Sequence, residues 1–359
     1  MKRTTSTAAL AVFMAGASLF ACKDASKPEV ATEAKAVTAA PEVEGPTDVV
    51  YAASTVLRVV DFAKGEVVAS VPLGRAVRQI RFADDGTAYV AASGGMFVFD
   101  GHAHQQLANP ITTPVRAIDI ADDGKTVTAL SHQVIVNPDK SREVLPFFLS
   151  TYDVASKRVT NKETIGQRIF FAARRAGDNG HDLVLTEDGR VRTISGSEPL
   201  SSDGTKVDPL AGQGGADQPF RVRHEAVRHG SRAYLPVEGY PSRVLVVDLK
   251  SGATSALMLD RAYPLRGVAV SPDGATVAAN VGIGVVLIDA ASGEIRHRVE
   301  TPDPTSQLAF SSDGKYIYTA QVVDGTGGAI HAISVADGQH VKKIHLDDIS
   351  PWALAVRPR

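Results

Sequence analysis

The stretch AVRQIRFADDGTAYVAASGGMFVFD, residues 76–100, decides the fold, because the chain repeats its pattern about 190 residues later. Residues 264–289 read PLRGVAVSPDGATVAANVGIGVVLID. Both stretches contain an arginine, a short alternating apolar segment, Asp-Gly, a strand of small residues, a glycine-containing break and an apolar strand that ends in Asp. Alternation of this kind between turn residues predicts strands. The two stretches are therefore copies of one β-unit.

Turn and strand signals recur along most of the chain with a regular spacing. Asp-Gly turns fall at Asp85-Gly86, Asp123-Gly124, Asp273-Gly274 and Asp313-Gly314, so neighbouring turns are 38 or 40 residues apart. A period near 40 with several short strands per unit predicts a β-propeller of four-stranded blades. We count seven blades, whose third strands end near residues 61, 100, 153, 195, 248, 289 and 334. In the fourth blade, HDLVLTEDGRVRTIS fits either as strands one and two or as strands two and three.

The two ends of the chain predict how the propeller closes. The first blade lacks the opening strand of the other units and begins at DVVYAAS. The chain ends in PWALAVRP, a copy of that missing strand. Pairing the two would remove the exposed edges of an open array. We therefore predict an all-β, seven-bladed β-propeller closed by pairing of the C-terminal strand with the first blade. The alternative, a pair of β-sandwiches, does not predict the C-terminal fragment.

The N-terminus has the pattern of a bacterial export signal. Lys2 and Arg3 precede an apolar segment over residues 8–20, which is too short for a convincing membrane span. The segment ends in LFAC (19–22), which resembles the lipobox of bacterial lipoproteins. That resemblance implies that Cys22 is lipidated, becomes the first residue after cleavage and anchors the protein to a membrane. An ordinary signal peptide that happens to contain a cysteine is the alternative.

Residues 23–46 are rich in Ala, Pro, Glu, Lys and Thr and contain no aromatic side chain. Because such a composition cannot bury a core, we interpret the segment as a disordered tether. The chain is then divided into a lipoprotein signal peptide (1–21), a tether (22–46) and a β-propeller (47–359). Lys23 stands where enterobacterial lipoproteins retained at the inner membrane have Asp, which favours the outer membrane, facing the periplasm.

The repeats resemble the YVTN family of seven-bladed propellers, within the wider WD40-like group. Residues 48–74 (DVVYAASTVLRVVDFAKGEVVASVPLG) and 268–295 (VAVSPDGATVAANVGIGVVLIDAASGEI) show the likeness best. It covers roughly residues 47–359. The Trp-Asp pair of true WD40 repeats is absent, with Phe-Asp, Val-Asp or Ile-Asp in its place. The resemblance implies a fold, but not a function, because such propellers serve both as scaffolds and as enzymes.

Composition argues against several functions. The formal net charge of -2 and the pI of about 6.6 give no support for a nucleic-acid partner. Cys22 is the only cysteine, so the chain has neither a Cys-rich metal site nor a Cys-x-x-Cys-His motif. The Asp-Asp-Gly turns lack the spacing of a calcium loop, and His102 and His104 have no third ligand nearby in sequence. We assign no cofactor, no metal site and no catalytic residue.

Arginines recur at one position of the repeat. Seven residues before the Asp of an Asp-Gly turn lie Arg78, Arg116 and Arg266, and Arg221 is one residue further from its turn. The first strand of a propeller blade lines the central channel, so these side chains would meet at one mouth. Guanidinium groups bind carboxylates and phosphates through paired hydrogen bonds. We therefore predict that the four arginines bind an anion. The alternative is local pairing of each arginine with Asp119, Glu225 or a similar acid.

Two insertions are predicted to share a face with these arginines. One, around residues 137–148, lies between the second and third strands of blade three, and the other, residues 196–220, joins blades four and five. In an up-and-down sheet, second-to-third turns and blade-to-blade links fall on the same face, which we call the link face. The first strands start there, so it also holds Arg78, Arg116 and Arg266. The Asp-Gly turns lie on the opposite, turn face. Function concentrates on loops of this kind.

Three functions remain open from the sequence. The leading one is a lipid-anchored binding or scaffold module of the cell envelope, for a protein partner or a small anionic ligand. The second is a propeller enzyme similar to lactonases, with Arg221, Arg223, His224 and Glu225 at the channel mouth, or to the large subunit of amine dehydrogenases. The third is a structural spacer in an envelope complex.

Overall fold

The structure, a computed structural model, describes residues 45–359 apart from short stretches between them. The positions outside the description are 122, 132–133, 137, 141, 145–146, 166–168, 175–181, 187–189, 195–204, 207–225, 239–240, 249–250, 252, 262, 322–326 and 347–349. Among the described residues, no helix is long and apolar enough to cross a membrane.

Short strands joined by turns make up the described chain. The strands of its N-terminal half are β1 (Val49–Ala53), β2 (Val56–Asp61), β3 (Glu66–Pro72), β4 (Val77–Phe82), β5 (Thr87–Ala92), β6 (Gly95–Asp100), β7 (Gln105–Ile111), β8 (Val115–Ile120), β9 (Thr126–Ser131), β10 (Val134–Val136), β11 (Arg142–Val144), β12 (Phe147–Asp153) and β13 (Arg158–Ile165).

The C-terminal half continues in the same way. Its strands are β14 (Ile169–Arg174), β15 (Asp182–Thr186), β16 (Arg190–Ile194), β17 (Thr205–Lys206), β18 (Val227–His229), β19 (Arg232–Val237), β20 (Arg243–Asp248), β21 (Thr254–Met258), β22 (Gly267–Val270), β23 (Thr276–Asn280), β24 (Gly284–Asp289), β25 (Ile295–Glu300), β26 (Thr305–Phe310), β27 (Tyr316–Gln321), β28 (Ala329–Ser334), β29 (His340–His345) and β30 (Ala353–Val356).

Within the described residues, these strands form seven four-stranded antiparallel sheets and one separate hairpin, β10–β11. In strand order the sheets are β3-β2-β1-β30, β4-β5-β6-β7, β13-β12-β9-β8, β14-β15-β16-β17, β18-β19-β20-β21, β22-β23-β24-β25 and β26-β27-β28-β29. For β14–β17 the structure describes the strands alone, whereas side chains are described in the other six sheets. The arrangement confirms the prediction of an all-β β-propeller.

Aspartates end the third strands as the sequence predicts, and they do so by local hydrogen bonding. β2, β6, β12, β20 and β24 all end at an Asp. In β6, Asp100 Oδ1 accepts hydrogen bonds from the backbone N–H groups of His102 and Ala103, each at 2.8 Å. The Asp-Gly turns use the same chemistry, since Asp85 Oδ1 accepts the Thr87 N–H and Gly86 adopts a positive φ of 83°. Turn formation therefore accounts for the Asp-Asp-Gly sequences.

The structure decides the ambiguous fourth sheet and corrects one insertion. β15 and β16 occupy the second and third positions of that sheet, so HDLVLTEDGRVRTIS forms strands two and three. The stretch 196–220 was assigned entirely to a link, but Thr205–Lys206 forms the fourth strand. A two-residue strand is too short to produce a periodic pattern in the sequence. The insertion of blade three forms the hairpin β10–β11, located between β9 and β12 as predicted.

The first strands of the sheets contact one another in turn. β4 contacts both β30 and β8, β8 contacts β14, and β22 contacts β18 and β26, which in turn contacts β30. A cavity of about 560 Å³ lies among these strands and is lined by residues of β4, β18, β22, β26 and β30. The first strands therefore surround a central cavity, which a pair of β-sandwiches would not produce.

The hydrophobic core lies between neighbouring sheets. Leu57 of β2 and Phe99 of β6 belong to one cluster, and Val60 of β2 and Ile330 of β28 belong to another. All four side chains are at most 1% exposed. Burying a side chain of this size contributes roughly 1.5–3 kcal/mol. The first sheet is therefore held mainly by apolar contacts with the sheets on either side.

A buried carboxylate joins the first and last sheets on the turn face. The Asp48 side chain is 0% exposed, and Tyr318 of β27 donates its hydroxyl to Asp48 Oδ2 at 2.8 Å. Ser312 Oγ donates to Oδ1 at 3.1 Å, and Arg359 Nε lies 3.5 Å from the same oxygen. Burial and the nearby Asp48 carboxylate both raise the pKa of Tyr318. Both oxygens of Asp48 therefore have partners near the C-terminal end of the chain.

Replacing Tyr318 by Phe is expected to lower the free energy of unfolding by about 2 kcal/mol, because a hydrogen bond to a buried charge contributes about that much. Urea unfolding followed by circular dichroism would measure the loss. Tyr89→Phe is the matched control, since Tyr89 occupies the equivalent place in β5 and its hydroxyl makes no hydrogen bond to a described residue. Equal losses in the two variants would contradict a specific role for the Tyr318–Asp48 bond.

Candidate functional site

The structure places Arg78, Arg116 and Arg266 at equivalent positions. Each lies two residues before a first-strand residue that pairs with the middle of the second strand. These pairs are Ile80 with Val90, Ile118 with Ala129 and Val268 with Ala279. By the same register, Ser306 and Trp352 are the counterparts in β26 and β30. The predicted arginines therefore share one level at the start of the first strands.

Two of these arginines sit in β-bulges. The pairing of β4 with β5 shifts between Val77 and Gln79, and the pairing of β8 with β9 shifts between Val115 and Ala117. Arg78 and Arg116 are the extra residues at these shifts. A bulge leaves its extra residue outside the ladder and changes the direction of its side chain. The side chains of Arg78 and Arg116 therefore do not follow the alternation between the two faces of the sheet that the other residues of each strand follow.

The surroundings of the three arginines differ. Arg78 is exposed and Arg266 is half-buried. Within the described part of the chain, neither guanidinium has a hydrogen bond or ion pair, although the Arg266 N–H donates to Asn280 O at 3.0 Å. Arg116 is half-buried and interacts with other groups of the protein. Arg78 and Arg266 therefore keep donors available to a ligand.

Asp119, offered by the sequence as a local partner for the arginines, forms an ion pair across the molecule. Its Oδ2 lies 3.1 Å from Nη1 of Arg228 on β18, and the two side chains are only 12% and 10% exposed. Asp119 belongs to β8, two sheets away from β18 in chain order. A pair shielded to this degree is costly to break, because either charge alone would remain poorly solvated. Arg228 is thus a structural arginine that sequence analysis did not single out.

Two of the predicted site residues lie outside the described part of the chain. They are Cys22, the predicted lipidation site, and Arg221, the fourth predicted anion-binding arginine. The cluster proposed for a lactonase, Arg221 with Arg223, His224 and Glu225, lies there as well.

The link face is held together by hydrogen bonds between links and second-to-third turns. Leu73 and Gly74, in the link after β3, donate their N–H groups to Thr55 O at 3.0 Å. Thr305, where β26 of the last sheet begins, donates its N–H to Gly282 O, in the turn between β23 and β24, at 2.8 Å. These bonds place the links, the second-to-third turns and the starts of the first strands on one face, as predicted.

A cleft of about 490 Å³ opens on this face beside Arg266. Its lining combines three arginines with apolar side chains and one carboxylate. The lining residues are Arg261, Tyr263, Pro264, Arg266, Val281, Gly282, Ile283, Gly284, Val285, Val286, Arg298, Val299, Glu300 and Pro304. Arg266 precedes the first strand of its sheet and Arg298 is on the fourth, so the cleft extends away from the central cavity.

Asp260 organises one side of the cleft. Its Oδ2 lies 2.9 Å from Arg298 Nη2 and 4.0 Å from Arg261 Nε, and Oδ1 accepts the Tyr263 hydroxyl at 3.2 Å. Arg261 Nε donates to the Tyr263 hydroxyl at 2.8 Å and stacks over the ring. Desolvation favours a higher pKa for Asp260, but the charge of Arg298 and these hydrogen bonds outweigh it and lower the pKa. Asp260 is therefore ionised and holds Arg298 and Tyr263 in place.

Sequence analysis missed two exposed apolar side chains on the same face. Trp352, the only tryptophan of the chain, is 53% exposed at the position equivalent to Arg78, and Ile283 is 64% exposed at the cleft. Aligning PWALAV with AVRQIRF gives Trp352 the same position in the repeat as Arg78. The sequence therefore contained the information needed to place the tryptophan with the arginines. Tryptophan and arginine are enriched at binding surfaces.

Of the two turn histidines, His102 is exposed and His104 has a partner within the protein. His104 is half-buried, and its Nδ1 lies 2.7 Å from the hydroxyl of Tyr51. Burial and the charge of Arg357 lower the pKa of His104. No three His, Cys, Asp or Glu side chains in the described ranges are placed to hold a metal ion.

Most of the chain is similar to several solved β-propellers. A dihydro-heme d1 dehydrogenase, NirN, in complex with DHE aligns with a TM-score of 0.55 and 16% identity, over 88% of this chain and 76% of that one. A functionally unknown protein from Desulfotomaculum acetoxidans aligns with a TM-score of 0.59 and 13% identity, over 87% and 100%. AztD from Citrobacter koseri, in its apo form, aligns with a TM-score of 0.52 and 13% identity, over 86% and 97%.

No protein-family model matches the sequence, and no curated protein matches it either. At these identities, the structural similarity supports the β-propeller fold and does not extend to function.

Proposed function

We propose that this chain is a lipid-anchored β-propeller of the cell envelope that binds an anionic ligand, or an acidic group of an envelope protein, on its link face. The main support is the placement of Arg78, Arg116 and Arg266 at one register position, with Trp352 at the same position in β30. The guanidinium groups of Arg78 and Arg266 have no hydrogen bond or ion pair with a described residue and so remain available to bind a carboxylate or phosphate. Arg221 is the fourth member of this proposed set.

The proposed architecture is a closed, seven-bladed propeller related to the YVTN repeats. Its support is the set of seven described four-stranded sheets and the pairing of β30 with β1. In this architecture the C-terminal strand supplies the inner strand of the first blade, so that β1 is not left with a free edge.

The proposed anchor is lipidated Cys22, after removal of residues 1–21, with residues 22–46 as the tether to a propeller that begins near residue 47. The compact unit of the structure runs from Glu44 to Arg359. Its N-terminal end lies on the turn face, because Asp48 contacts Ser312 beside the Asp313-Gly314 turn. The proposed site of attachment is the outer membrane, with the propeller in the periplasm.

Thermal unfolding in the presence of succinate or glucose 6-phosphate tests the anion-binding proposal. At a concentration about thirty times Kd, binding is expected to stabilise the protein by about 2 kcal/mol, which corresponds to roughly 4 °C in Tm. The double variant R78A/R266A is expected to lose this shift. Because both residues are at least partly exposed and their guanidinium groups make no hydrogen bond or ion pair to described residues, the basal Tm should change little.

The double variant R158A/R232A is the matched control, since it removes two exposed arginines outside the proposed site. All melts are run at one ionic strength, so that general screening is constant. No shift with either anion, or equal loss of the shift in both double variants, would contradict the proposal. Release of acid from γ-butyrolactone under the same conditions would favour the enzymatic alternative.

A further inference from the structure

The cleft beside Arg266 differs in shape and chemistry from the central cavity. The central cavity is lined by first strands, with Ala269, Ala309 and Ala355 among its walls. The cleft is lined by the link before β22, the turn between β23 and β24, and residues of β24 and β25. It is therefore an off-axis site within the sixth blade and its preceding link.

The charges around the cleft leave one positive charge uncompensated. Arg261, Arg266 and Arg298 are the cationic lining residues, and Glu300 is the acidic one. Asp260 adds a second negative charge through its contacts with Arg298 and Arg261. Arg266 is the arginine without a described ion-pair partner, and it lies at the inner end of the cleft. One monovalent anion at Arg266 would balance these five groups.

The remaining walls of the cleft are apolar. Pro264 and Pro304 face it from the two links, and Ile283, Val285 and Val299 contribute aliphatic surface. The volume of about 490 Å³ falls in the usual range for small-molecule sites, which are mostly apolar with a few polar groups that fix orientation. The exposed side chain of Ile283 would lose contact with water when an apolar ligand binds.

We propose that this cleft binds a small monocarboxylate with an apolar body, the carboxylate on Arg266 and the body against Ile283 and the neighbouring aliphatic walls. The inference rests on the proposed function, because it keeps Arg266 as an anion-binding residue, and it names the class of ligand at that residue. Two interactions contribute to the binding free energy. They are the charge-assisted hydrogen bonds between a guanidinium and a carboxylate and the burial of apolar surface. A ligand that lacks either feature should bind much more weakly.

Isothermal titration calorimetry with three ligands separates the contribution of the carboxylate from that of the apolar body. Phenylacetate has both features, 2-phenylethanol lacks the charge, and acetate lacks the apolar body. We expect phenylacetate to bind at least tenfold more tightly than either of the others. Arg266→Ala is expected to weaken phenylacetate binding at least tenfold and Ile283→Ser about fivefold, whereas Arg232→Ala, outside the proposed site, should leave it unchanged. Circular dichroism melts verify that each variant is folded.

The outcomes distinguish this inference from the proposed function. Absence of phenylacetate binding, while succinate stabilisation still depends on Arg78 and Arg266, would overturn the cleft proposal alone. Equal loss of phenylacetate binding in Arg78→Ala and Arg266→Ala would indicate that the ligand binds at the central channel. That result would also overturn the cleft proposal. Equal affinity for phenylacetate and 2-phenylethanol would exclude the carboxylate contact at Arg266.

Discussion

A chain that ends at Ser350 is expected to lose its cooperative fold. The truncation removes β30, which pairs with β1 through four residues, from Ala353 opposite Ala53 to Val356 opposite Val50. It also removes Leu354 from the cluster shared with the last sheet, and Ala353 and Ala355 from the cluster shared with the second. One short strand therefore supports two inter-sheet contacts and completes a sheet.

The expected loss exceeds 5 kcal/mol. Burial of Leu354 contributes about 2 kcal/mol, and each ladder hydrogen bond lost from the buried edge of β1 costs about 1 kcal/mol or more. Since domains are stable by only about 5–15 kcal/mol, the truncated chain should show no cooperative transition in a thermal melt, or a Tm at least 15 °C lower.

Two controls keep this prediction interpretable. A chain that lacks only Arg359 keeps β30 and loses a 3.5 Å ion pair to Asp48 and an exposed hydrogen bond to Thr47 Oγ1, so its Tm should fall by a few degrees at most. A synthetic peptide of residues 349–359 added to the truncated chain should restore the transition, whereas a scrambled peptide should not. If the chain ending at Ser350 melts within 3 °C of the full chain, β30 does not close the propeller.

Much of this fold could be predicted because its turns are encoded locally. The Asp that ends a third strand accepts backbone N–H groups two or three residues later, so Asp61, Asp100 and Asp289 each mark a strand end in the sequence. β17 could not be predicted, since two residues have no periodicity. Recognising the repeat required only the regular spacing of such turns.

The site could be predicted only in part, because its geometry depends on contacts between distant segments. The shared level of Arg78, Arg116 and Arg266 follows from their constant distance to the Asp-Gly turn. The bulges at Arg78 and Arg116 arise from pairing with another strand, and no local signal shows them. The cleft brings Arg261 and Arg266 of a link together with Arg298, about 30 residues later, so neither strand alternation nor the repeat predicts it.

The tyrosines of the second strands show how a repeat gains specific contacts. Tyr51 and Tyr318 occupy equivalent positions, and each hydroxyl reaches the following sheet. Tyr51 donates to Gly101 O at 3.1 Å, and Tyr318 donates to Asp48 at 2.8 Å. Burial raises the pKa of Tyr51 to about 12, so both hydroxyls remain donors at neutral pH. Side-chain hydrogen bonds thus help to fix how neighbouring sheets dock.

His331 is expected to make the protein less stable in mild acid. Its side chain is 4% exposed, lies in β28 between β27 and β29, and has its Nε2 3.0 Å from Gln321 Oε1. Burial, followed by the positive charge of Lys343 and by His340 and His345, lowers its pKa to about 4, and Asp303 opposes this shift. The histidine is therefore neutral in the folded protein at neutral pH.

The sign of the pH dependence follows from the two protonation states. The unfolded chain binds a proton at His331 with a pKa near 6.5, whereas the folded protein binds it only near pH 4. Between these values the unfolded state binds more protons, so the free energy of unfolding falls as the pH is lowered from about 6.5 to 4. A pKa shift of this size corresponds to about 3 kcal/mol in the free energy of unfolding. This contribution is fully present above pH 6.5 and is lost progressively as the pH falls below it.

Urea unfolding in steps of half a pH unit from pH 7 to pH 4.5 would measure the free energy of unfolding of the parent protein and of His331→Gln. The amide of this variant can still donate to Gln321 but does not titrate. The parent protein should lose about 2 kcal/mol more than this variant over the range. His102→Gln, at an exposed turn, is the control and should follow the parent curve. Parallel curves for the parent and His331→Gln would show that this histidine is not buried in its neutral form, and the packing of β28 between β27 and β29 would then differ from the one described.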